Sequence, residues 1–267
     1  MWARSSVAAF SGSKDIRAEK QIVFSPRSTP RSTERSMQPD TSALHLVMTG
    51  DPTLMAIVKL SLTVSLCAVV IAAIIGVPLG AFIALTRFRG REGVIVLLNA
   101  LMGLPPVVVG LAVYLMLSRS GVLGQLGLLF TPSAMVFAQA ILVTPIIAAL
   151  TRQTIEDLWA EYRDELNGMN VGPLARIATL IWDGRFSLVV ALLAGFGRAA
   201  AEVGAIIIVG GNIDGFTRTM TTAIALETSK GDLPLAIGLG IILMVIVIII
   251  NTLAWAVRRA GEAIAGG

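Results

Sequence analysis

The fold is decided by residues 57–85, IVKLSLTVSLCAVVIAAIIGVPLGAFIAL, where Lys59 is the only charged residue. About 17–25 apolar residues are enough to cross the ~30 Å hydrocarbon layer of a bilayer as a helix. Further apolar runs lie at roughly 93–117, 132–150, 186–210 and 235–257. Backbone groups in lipid must find hydrogen-bond partners within the protein, so runs of this length predict helices. The sequence therefore predicts an all-α integral membrane bundle of about five transmembrane helices.

The composition of the whole chain fits a lipid-embedded protein. Hydrophobic residues make up 55% of it and charged residues 14%, against about 25% charged residues in soluble domains. Mean hydropathy is +0.81. The net charge of +4 does not indicate nucleic acid, because seven of the 21 Lys and Arg lie in residues 1–36 and most others lie in short loops between apolar runs. The expected surroundings are a lipid bilayer.

The sequence lacks the groups that most chemistry requires. Cys67 and His45 are the only cysteine and the only histidine, so neither an intrachain disulfide nor a Cys/His metal cluster is expected. No phosphate-binding G-x-x-x-x-G-K-[ST] loop occurs, and the Gly12-Ser13-Lys14 trio is not one. We therefore expect no catalytic residues, metal or cofactor in this chain. Any nucleotide-driven work must be done by a partner.

Basic residues in the connecting segments predict the orientation in the membrane. One side carries nine of them: Arg87, Arg89, Arg91, Arg152, Arg163, Arg176, Arg185, Arg258 and Arg259. The other side carries three: Arg119, Arg218 and Lys230. The side with nine is predicted to be cytoplasmic. This puts the N-terminus outside and the C-terminus inside the cell (inner or plasma) membrane.

The polar ends of the chain divide it into expected segments. Residues 1–36 form a basic polar tail that conflicts with an outer N-terminus. Our hypothesis is that Met37 is the true start; a genuine disordered tail and a targeting segment remain as alternatives. Residues 37–56 are then an outer N-terminal segment, 57–257 the transmembrane domain, and 258–267 a cytoplasmic tail.

The loop at 151–185 has a pattern of its own. Apolar residues recur at helical spacing among charges over 151–170, Gly172 and Pro173 interrupt the pattern, and it resumes over 174–182. Such a pattern predicts short amphipathic helices at the membrane surface. A helix–Gly–helix hook of this kind can dock into a groove on another protein. The alternative is that these helices only cover the ends of the bundle.

Polar and helix-breaking residues also lie inside the apolar runs. Arg198 and Glu202 are four residues apart, so they share a helix face and can pair. Charges at membrane depth face the interior or water, and the pair either lines a transport path or locks helices together. Gln139 and Asn251 are expected to tie helices to one another. Prolines predict kinks at these positions: Pro78, Pro105, Pro106 and Pro145.

Hydroxyl residues are frequent in the segment 212–232. Thr219, Thr221 and Thr222 stand close together within it. Hydroxyl groups can receive a tetrahedral oxyanion without excessive affinity. They also commonly cap helices and satisfy turns. Thr219, Thr221 and Thr222 are therefore candidates both for contact with an oxyanion and for capping a helix.

The loop 151–185 resembles the coupling loop of ABC importer permeases, which carries a Glu-Ala-Ala-x-x-x-Gly motif. Here the corresponding residues are Asp164-Glu165-Leu166-Asn167 followed by Gly172. The spacing from Glu to Gly is one residue longer than in the motif, Leu166 and Asn167 replace the alanines, and the later proline is absent.

Other stretches carry a more specific resemblance. LPPVVVG at 104–110 resembles the second-helix signature of molybdate- and sulfate-type permeases. GFGRAAAEVGA at 195–205, GGNI at 210–213 and TMTTAIALETSKGD at 219–232 are similar to the tungstate branch of that group. The resemblance covers about residues 48–257.

The resemblance implies a type I ABC importer permease that passes a tetrahedral oxyanion into the cytoplasm. Its implied partners are a cytoplasmic ATPase, an extracytoplasmic solute-binding protein and a second copy of the chain. The ATPase would contact Asp164, Glu165, Gly172 and Pro173. Tungstate is favoured over molybdate and sulfate by the match over 210–232. A secondary transporter or a channel is the rival class.

Overall fold

The computed structural model describes Met48 and residues 50–265, and all regular structure in this part of the chain is helical. The expectations for residues 1–36 and for a start at Met37 lie outside the described residues. The helices are α1 (Pro52–Leu85), α2 (Arg91–Met102), α3 (Pro106–Leu117), α4 (Pro132–Gly168), α5 (Pro173–Asp183), α6 (Arg185–Ala200), α7 (Gly204–Gly210), α8 (Met220–Lys230) and α9 (Leu233–Ala265). A 3-10 turn, Gly124–Leu126, lies between α3 and α4. The predicted all-α class is confirmed.

Three of the described helices are long and apolar enough to cross a membrane unaided. They are α1 with 34 residues, α4 with 37 and α9 with 33. The pairs α2–α3 and α5–α6 are apolar enough only when taken together, and they bend by 99° and 71°. The described chain therefore contains three to five candidate spans, in line with the expected bundle.

The long helices extend beyond the apolar runs. Helix α1 begins at Pro52 because Asp51 caps it: the Asp51 Oδ1 accepts hydrogen bonds from the backbone N–H of Thr53 at 2.9 Å and of Leu54 at 3.0 Å. Helix α9 continues to Ala265, through most of the segment expected as a tail. Hydropathy marks where lipid contact ends, whereas the helix ends where its backbone meets a cap or a breaker.

Two apolar runs that were expected as single spans are broken. The run 93–117 is divided into α2 and α3 at residues 103–105, where Pro105 and Pro106 disfavour the helical backbone before them. The run 186–210 is divided into α6 and α7 at residues 201–203, which contain no proline. By contrast, α1 and α4 are continuous across Pro78 and Pro145.

The structure corrects the prediction of separate surface helices over 151–170. This segment continues the helix of the run 132–150, so α4 is one helix of about 55 Å at 1.5 Å per residue. Ile155 and Leu166 keep its buried face in register beyond the apolar run. The helix ends only at Gly168, and Asn170 follows with a positive φ of 50°.

Helices α1 and α4 pack closely through two glycines spaced four residues apart. A Cβ on Gly80 would lie 2.4 Å from the Ala148 carbonyl oxygen and 2.8 Å from the Thr151 Cβ. A Cβ on Gly76 would lie 3.1 Å from the Thr144 carbonyl oxygen. Small residues at this spacing let helix backbones approach in a bilayer.

We predict that Gly80→Ala lowers the thermal unfolding midpoint of the detergent-solubilised protein, because the added methyl would force α1 away from the α4 backbone. The expected loss is about 1–3 kcal/mol, as for overpacked cores. Gly93→Ala is the matched control, since nothing lies within 4 Å of its Cβ position. An unchanged midpoint for Gly80→Ala would contradict this packing.

Candidate functional site

Glu202 occupies the break between α6 and α7 and is only 3% exposed. Its Oε2 accepts a hydrogen bond from the Arg198 Nη1 at 2.5 Å. Its Oε1 accepts another from the Ala205 backbone N–H, in the first turn of α7, at 3.1 Å. A buried carboxylate is stable only with such partners, and hydrogen bonds to charged groups are the strong ones. The structure thus brings Arg198 and Glu202 together at an interrupted membrane helix.

The backbone opened by the break is satisfied by side chains from other helices. The Gln139 Nε2, on α4, donates to the Ala199 carbonyl at 2.8 Å. The Thr221 Oγ1, on α8, donates to the Glu202 carbonyl at 2.7 Å. The Ala199 carbonyl also accepts from the Glu202 backbone N–H at 3.1 Å, so Gln139 adds a second hydrogen bond there, whereas Thr221 supplies a partner to a carbonyl that the interrupted helix leaves open. Gln139 ties helices together as expected, whereas the Asn251 Nδ2 donates to Val247 in its own helix.

Helix α3 also lies directly against the break. A Cβ on Gly110 would be 2.7 Å from the Ala205 Cα, and a Cβ on Gly204 would be 2.7 Å from the Val107 Cγ2. Both glycines allow α3 and α7 to approach until their backbones are nearly in contact. The break at Glu202 is therefore a junction of α3, α4, α6, α7 and α8.

The three threonines proposed for oxyanion contact are buried beside this junction. The Thr222 Oγ1 accepts from the Thr219 backbone N–H at 3.0 Å, and the two hydroxyls are 3.1 Å apart. Thr221 is the donor to Glu202. The Met220 N–H donates to the Ser61 Oγ at 2.7 Å, which fastens the start of α8 to α1. These hydroxyls cap and anchor α8, and their contact with an oxyanion stays a prediction.

A second ionic cluster holds the segment before α8, and the pairing of its members was not predicted. The Arg218 Nη1 lies 3.0 Å from the Asp214 Oδ1 and 3.6 Å from the Glu227 Oε1. The Lys230 Nζ lies 3.1 Å from the same Glu227 oxygen. The spacing 227–230 could have revealed the contact of Lys230 with Glu227, because such residues share a helix face. Asp214 and Arg218 are also close in sequence, but they lie in the turns before α8. Arg218 and Lys230 thus neutralise carboxylates on this side.

The hook, defined as residues 164–183, comprises the end of α4, a turn and α5. Asp164 and Glu165 lie near the end of α4, Gly172 is the N-cap of α5, and Pro173 is its first residue; all four are exposed. The structure therefore places the four predicted coupling residues on either side of one turn. Leu174, next to Pro173, is 82% exposed and adds an apolar side chain to this surface.

The underside of the hook is anchored in the bundle. Leu166 and Leu180 are buried with Ile155 of α4 and with Ala81 and Ala84 of α1. An amphipathic helix with one buried face keeps its other face for water or a partner. One side of the hook is thus packed against the bundle, and its other side is exposed.

Arg176 fastens α5 back onto α4. Its guanidinium lies over the Trp159 ring, 4.6 Å from the centroid. Its Nη2 donates to the Asn167 Oδ1 at 3.2 Å and to the Val171 carbonyl at 3.3 Å. Sequence reasoning counted Arg176 only as a topology charge. The position of Arg176 in the loop 151–185 gave no indication that its side chain contacts Trp159.

Comparison with known proteins decides the family. No family model matches the chain. The tungstate uptake system permease protein TupB of Peptoclostridium acidaminophilum is 40% identical over 82% of this chain and 96% of its own length. The TupB protein of Campylobacter jejuni is 36% identical over 81% and 91%. A probable anion ABC transporter permease protein of Haloferax volcanii is 41% identical over 75% and 88%.

The chain belongs to the tungstate-uptake family of ABC importer permeases. The resemblance drawn from the residues is confirmed. As a member of this family, the chain is a multi-pass membrane protein and a transport subunit rather than an enzyme. Membership also implies an ATPase and a binding protein as partners.

We predict that Arg198→Ala destabilises this permease by about 1–3 kcal/mol, the cost of leaving a buried charged group without its partner. Glu202→Gln should cost less, because an amide oxygen can still accept from Ala205 and because Arg198, 35% exposed, can reach other partners. The double variant should therefore be more stable than Arg198→Ala alone. The thermal unfolding midpoint in detergent measures the stability of all three variants. A loss in the double variant equal to the sum of the two single losses would contradict the pairing.

Proposed function

We propose that the chain imports tungstate as the membrane-spanning subunit of an ABC importer, and that an ATPase binds its hook in the cytoplasm. Two of the relatives are tungstate uptake permeases, which supports tungstate as the substrate. The observation that carries the mechanism is the single helix α4. It bears Gln139, which contacts the break, and it ends at the hook, about 44 Å further along at 1.5 Å per residue. One rigid element therefore joins the two sites.

The proposed orientation places the hook and the C-terminus in the cytoplasm and the N-terminus outside. The excess of Lys and Arg on the hook side supports it. On α9, the Arg259 guanidinium lies 5.0 Å from the centroid of the exposed Trp255 ring. Such a pair of an aromatic and a basic residue is typical of a membrane–water interface.

The proposed ATPase contact is the exposed side of the hook. Asp164 and Glu165 supply negative charge, Gly172 and Pro173 form the start of α5, and Leu174 supplies an apolar anchor. A short helix presenting such a mixture suits a groove on a folded partner. In this proposal the free energy of ATP hydrolysis, released in the partner, is transmitted to the bundle through this surface.

The proposed oxyanion contact at the break is Arg198 rather than the threonines. Its side chain is 35% exposed, and its hydrogen bond to Glu202 is made by Nη1. The remaining N–H groups of a guanidinium can bind an oxyanion, and the paired carboxylate limits how tightly the ion is held. Thr219, Thr221 and Thr222 would bind the ion only after α8 rearranged, since their hydroxyls hold α8 in place.

A second copy of the chain is part of the proposal. A path for a hydrated dianion needs more polar lining than one small helix bundle offers, and two copies would form the path between them. The exposed apolar surfaces of α1, α3 and α9 are large enough to contact both lipid and a second subunit. The binding protein would deliver tungstate to the side opposite the hook and would contribute most of the selectivity.

We predict that reversing the charge at Glu165 together with deletion of Gly172 abolishes uptake of labelled tungstate by cells that express the complete transporter. The deletion shifts the register of α5, and losing even one interface anchor costs about 1.4 kcal/mol, or tenfold. Amounts of the chain in the membrane should be unchanged.

Glu262→Arg changes an exposed residue of α9 and is the control for charge reversal outside the hook. It should import normally. Uptake that survives removal of the ATPase would instead support a secondary carrier, and normal import by the hook variant would contradict the coupling assignment.

A further inference from the structure

Three charged side chains link three helices on the hook side. Glu156, on α4, pairs through its Oε1 with the Arg91 Nη2 and through its Oε2 with the Arg152 Nη1. Arg91 is the first residue of α2, and its Nε donates to the Ile83 carbonyl in the last turn of α1 at 2.9 Å. We refer to Arg91, Arg152 and Glu156 as the Glu156 clamp.

The clamp is more than a solvated surface pair. The side chains of Arg91, Arg152 and Glu156 are only 22%, 17% and 29% exposed. Both carboxylate oxygens are used, and the bond to Ile83 satisfies a carbonyl that the end of α1 leaves open, which orients the Arg91 guanidinium. Glu92 also contacts Arg91, at 3.1 Å, but it is 84% exposed and is screened by water.

Apolar clusters on both sides support the clamp. Ile155, next to Glu156, is packed with Leu166 and Leu180 of the hook. Ile83, whose carbonyl binds Arg91, is packed with Leu98 of α2 and Ala148 of α4. The clamp therefore lies where the core beneath the hook meets the core between α1, α2 and α4.

From the clamp, α2 leads to the break by a second route. Helix α2 turns into α3 at residues 103–105, and α3 packs against α7 where Gly110 meets Ala205. Ala205 is the residue whose backbone N–H is bound by Glu202. The hook is thus connected to the break through α4 and, across the Glu156 clamp, through α2 and α3.

We propose that Glu156 is a positioning residue that makes α2 and α3 move with the hook, so that the break at Glu202 rearranges only when the ATPase moves the hook. This inference rests on the proposed function. Without the clamp, α2 keeps its apolar contacts but loses the charged link to α4. The hook can then move without moving α3, so that ATP is hydrolysed without import of tungstate.

The test uses the permease reconstituted into liposomes with its ATPase and binding protein. The readout is the number of ATP molecules hydrolysed for each tungstate imported. Glu156→Gln and Arg91→Gln should each raise this number about tenfold, the equivalent of one charge-assisted hydrogen bond. The rate of hydrolysis and the amount of assembled complex should stay within about twofold of the unmodified complex. A purely structural role would lower both rates together.

The double variant Arg91→Gln/Glu156→Gln should be no worse than either single variant, because both remove the same link. Glu161→Gln is the control on α4, an exposed carboxylate without an ion pair among the described residues. Glu92→Gln is the control for the other carboxylate beside Arg91. Both controls should keep the original ratio. Multiplying effects in the double variant, or an unchanged ratio in Glu156→Gln, would overturn the clamp.

Two further outcomes are informative. If Glu156→Gln does not assemble, Glu156→Asp keeps the charge but shortens the reach, and it should give an intermediate ratio; the original ratio would overturn the proposal. If the unmodified complex does not import tungstate at all, the proposed function fails and the clamp fails with it. A complex that imports normally with Glu156→Gln contradicts the clamp alone.

Discussion

Lipid offers no hydrogen bonds, and this constraint determines how the bundle is arranged around its broken helix. Opening the backbone between α6 and α7 would leave polar groups without partners, each at a cost of several kcal/mol in hydrocarbon. Thr221 and the carboxylate of Glu202 supply such partners, and Gln139 adds a second hydrogen bond to the Ala199 carbonyl. Because they come from α4, from α8 and from the break itself, these helices must converge there. The junction at Glu202 is thus the point around which these helices are arranged.

The same junction is suited to movement. Hydrogen bonds from side chains can be exchanged, whereas the ladder of an unbroken helix must be disrupted to bend. Gly110 and Gly204 bring the backbones of α3 and α7 together without bulky side chains between them, so a small shift of α3 acts directly on the break. The rigid element on the other side is α4, packed along α1 through Gly76 and Gly80. A broken helix held between stiff neighbours has the parts that a rocking motion needs.

The long helices could be predicted from the sequence, because apolar runs in lipid have few alternatives to a helix. The pairing of Arg198 with Glu202 could also be predicted, since the two residues are only four apart in the sequence. The proline pair at 105 and 106 indicated a kink, and the structure contains a 99° bend there. Each of these features depends on neighbours in the sequence.

The remaining features depend on residues that are distant in sequence. The break at 201–203 has no proline to signal it, and the side chains that bond to its backbone, those of Gln139 and Thr221, are distant in sequence. Glu156 lies 65 residues from Arg91, so no local pattern joins them. The continuity of α4 was missed because hydropathy falls at residue 151, although the buried positions at Ile155 and Leu166 continue the helix. Contacts from elsewhere in the fold decided all three.

The side of the membrane on which the hook lies tests the mechanism most directly. With Cys67 replaced by Ser, Leu174→Cys and Val122→Cys place single thiols on exposed residues near opposite ends of α4. A membrane-impermeant maleimide should label Leu174→Cys only in inside-out vesicles and Val122→Cys only in right-side-out vesicles. Labelling of Leu174→Cys from the outside would place the hook beyond the reach of any cytoplasmic ATPase and would contradict the mechanism.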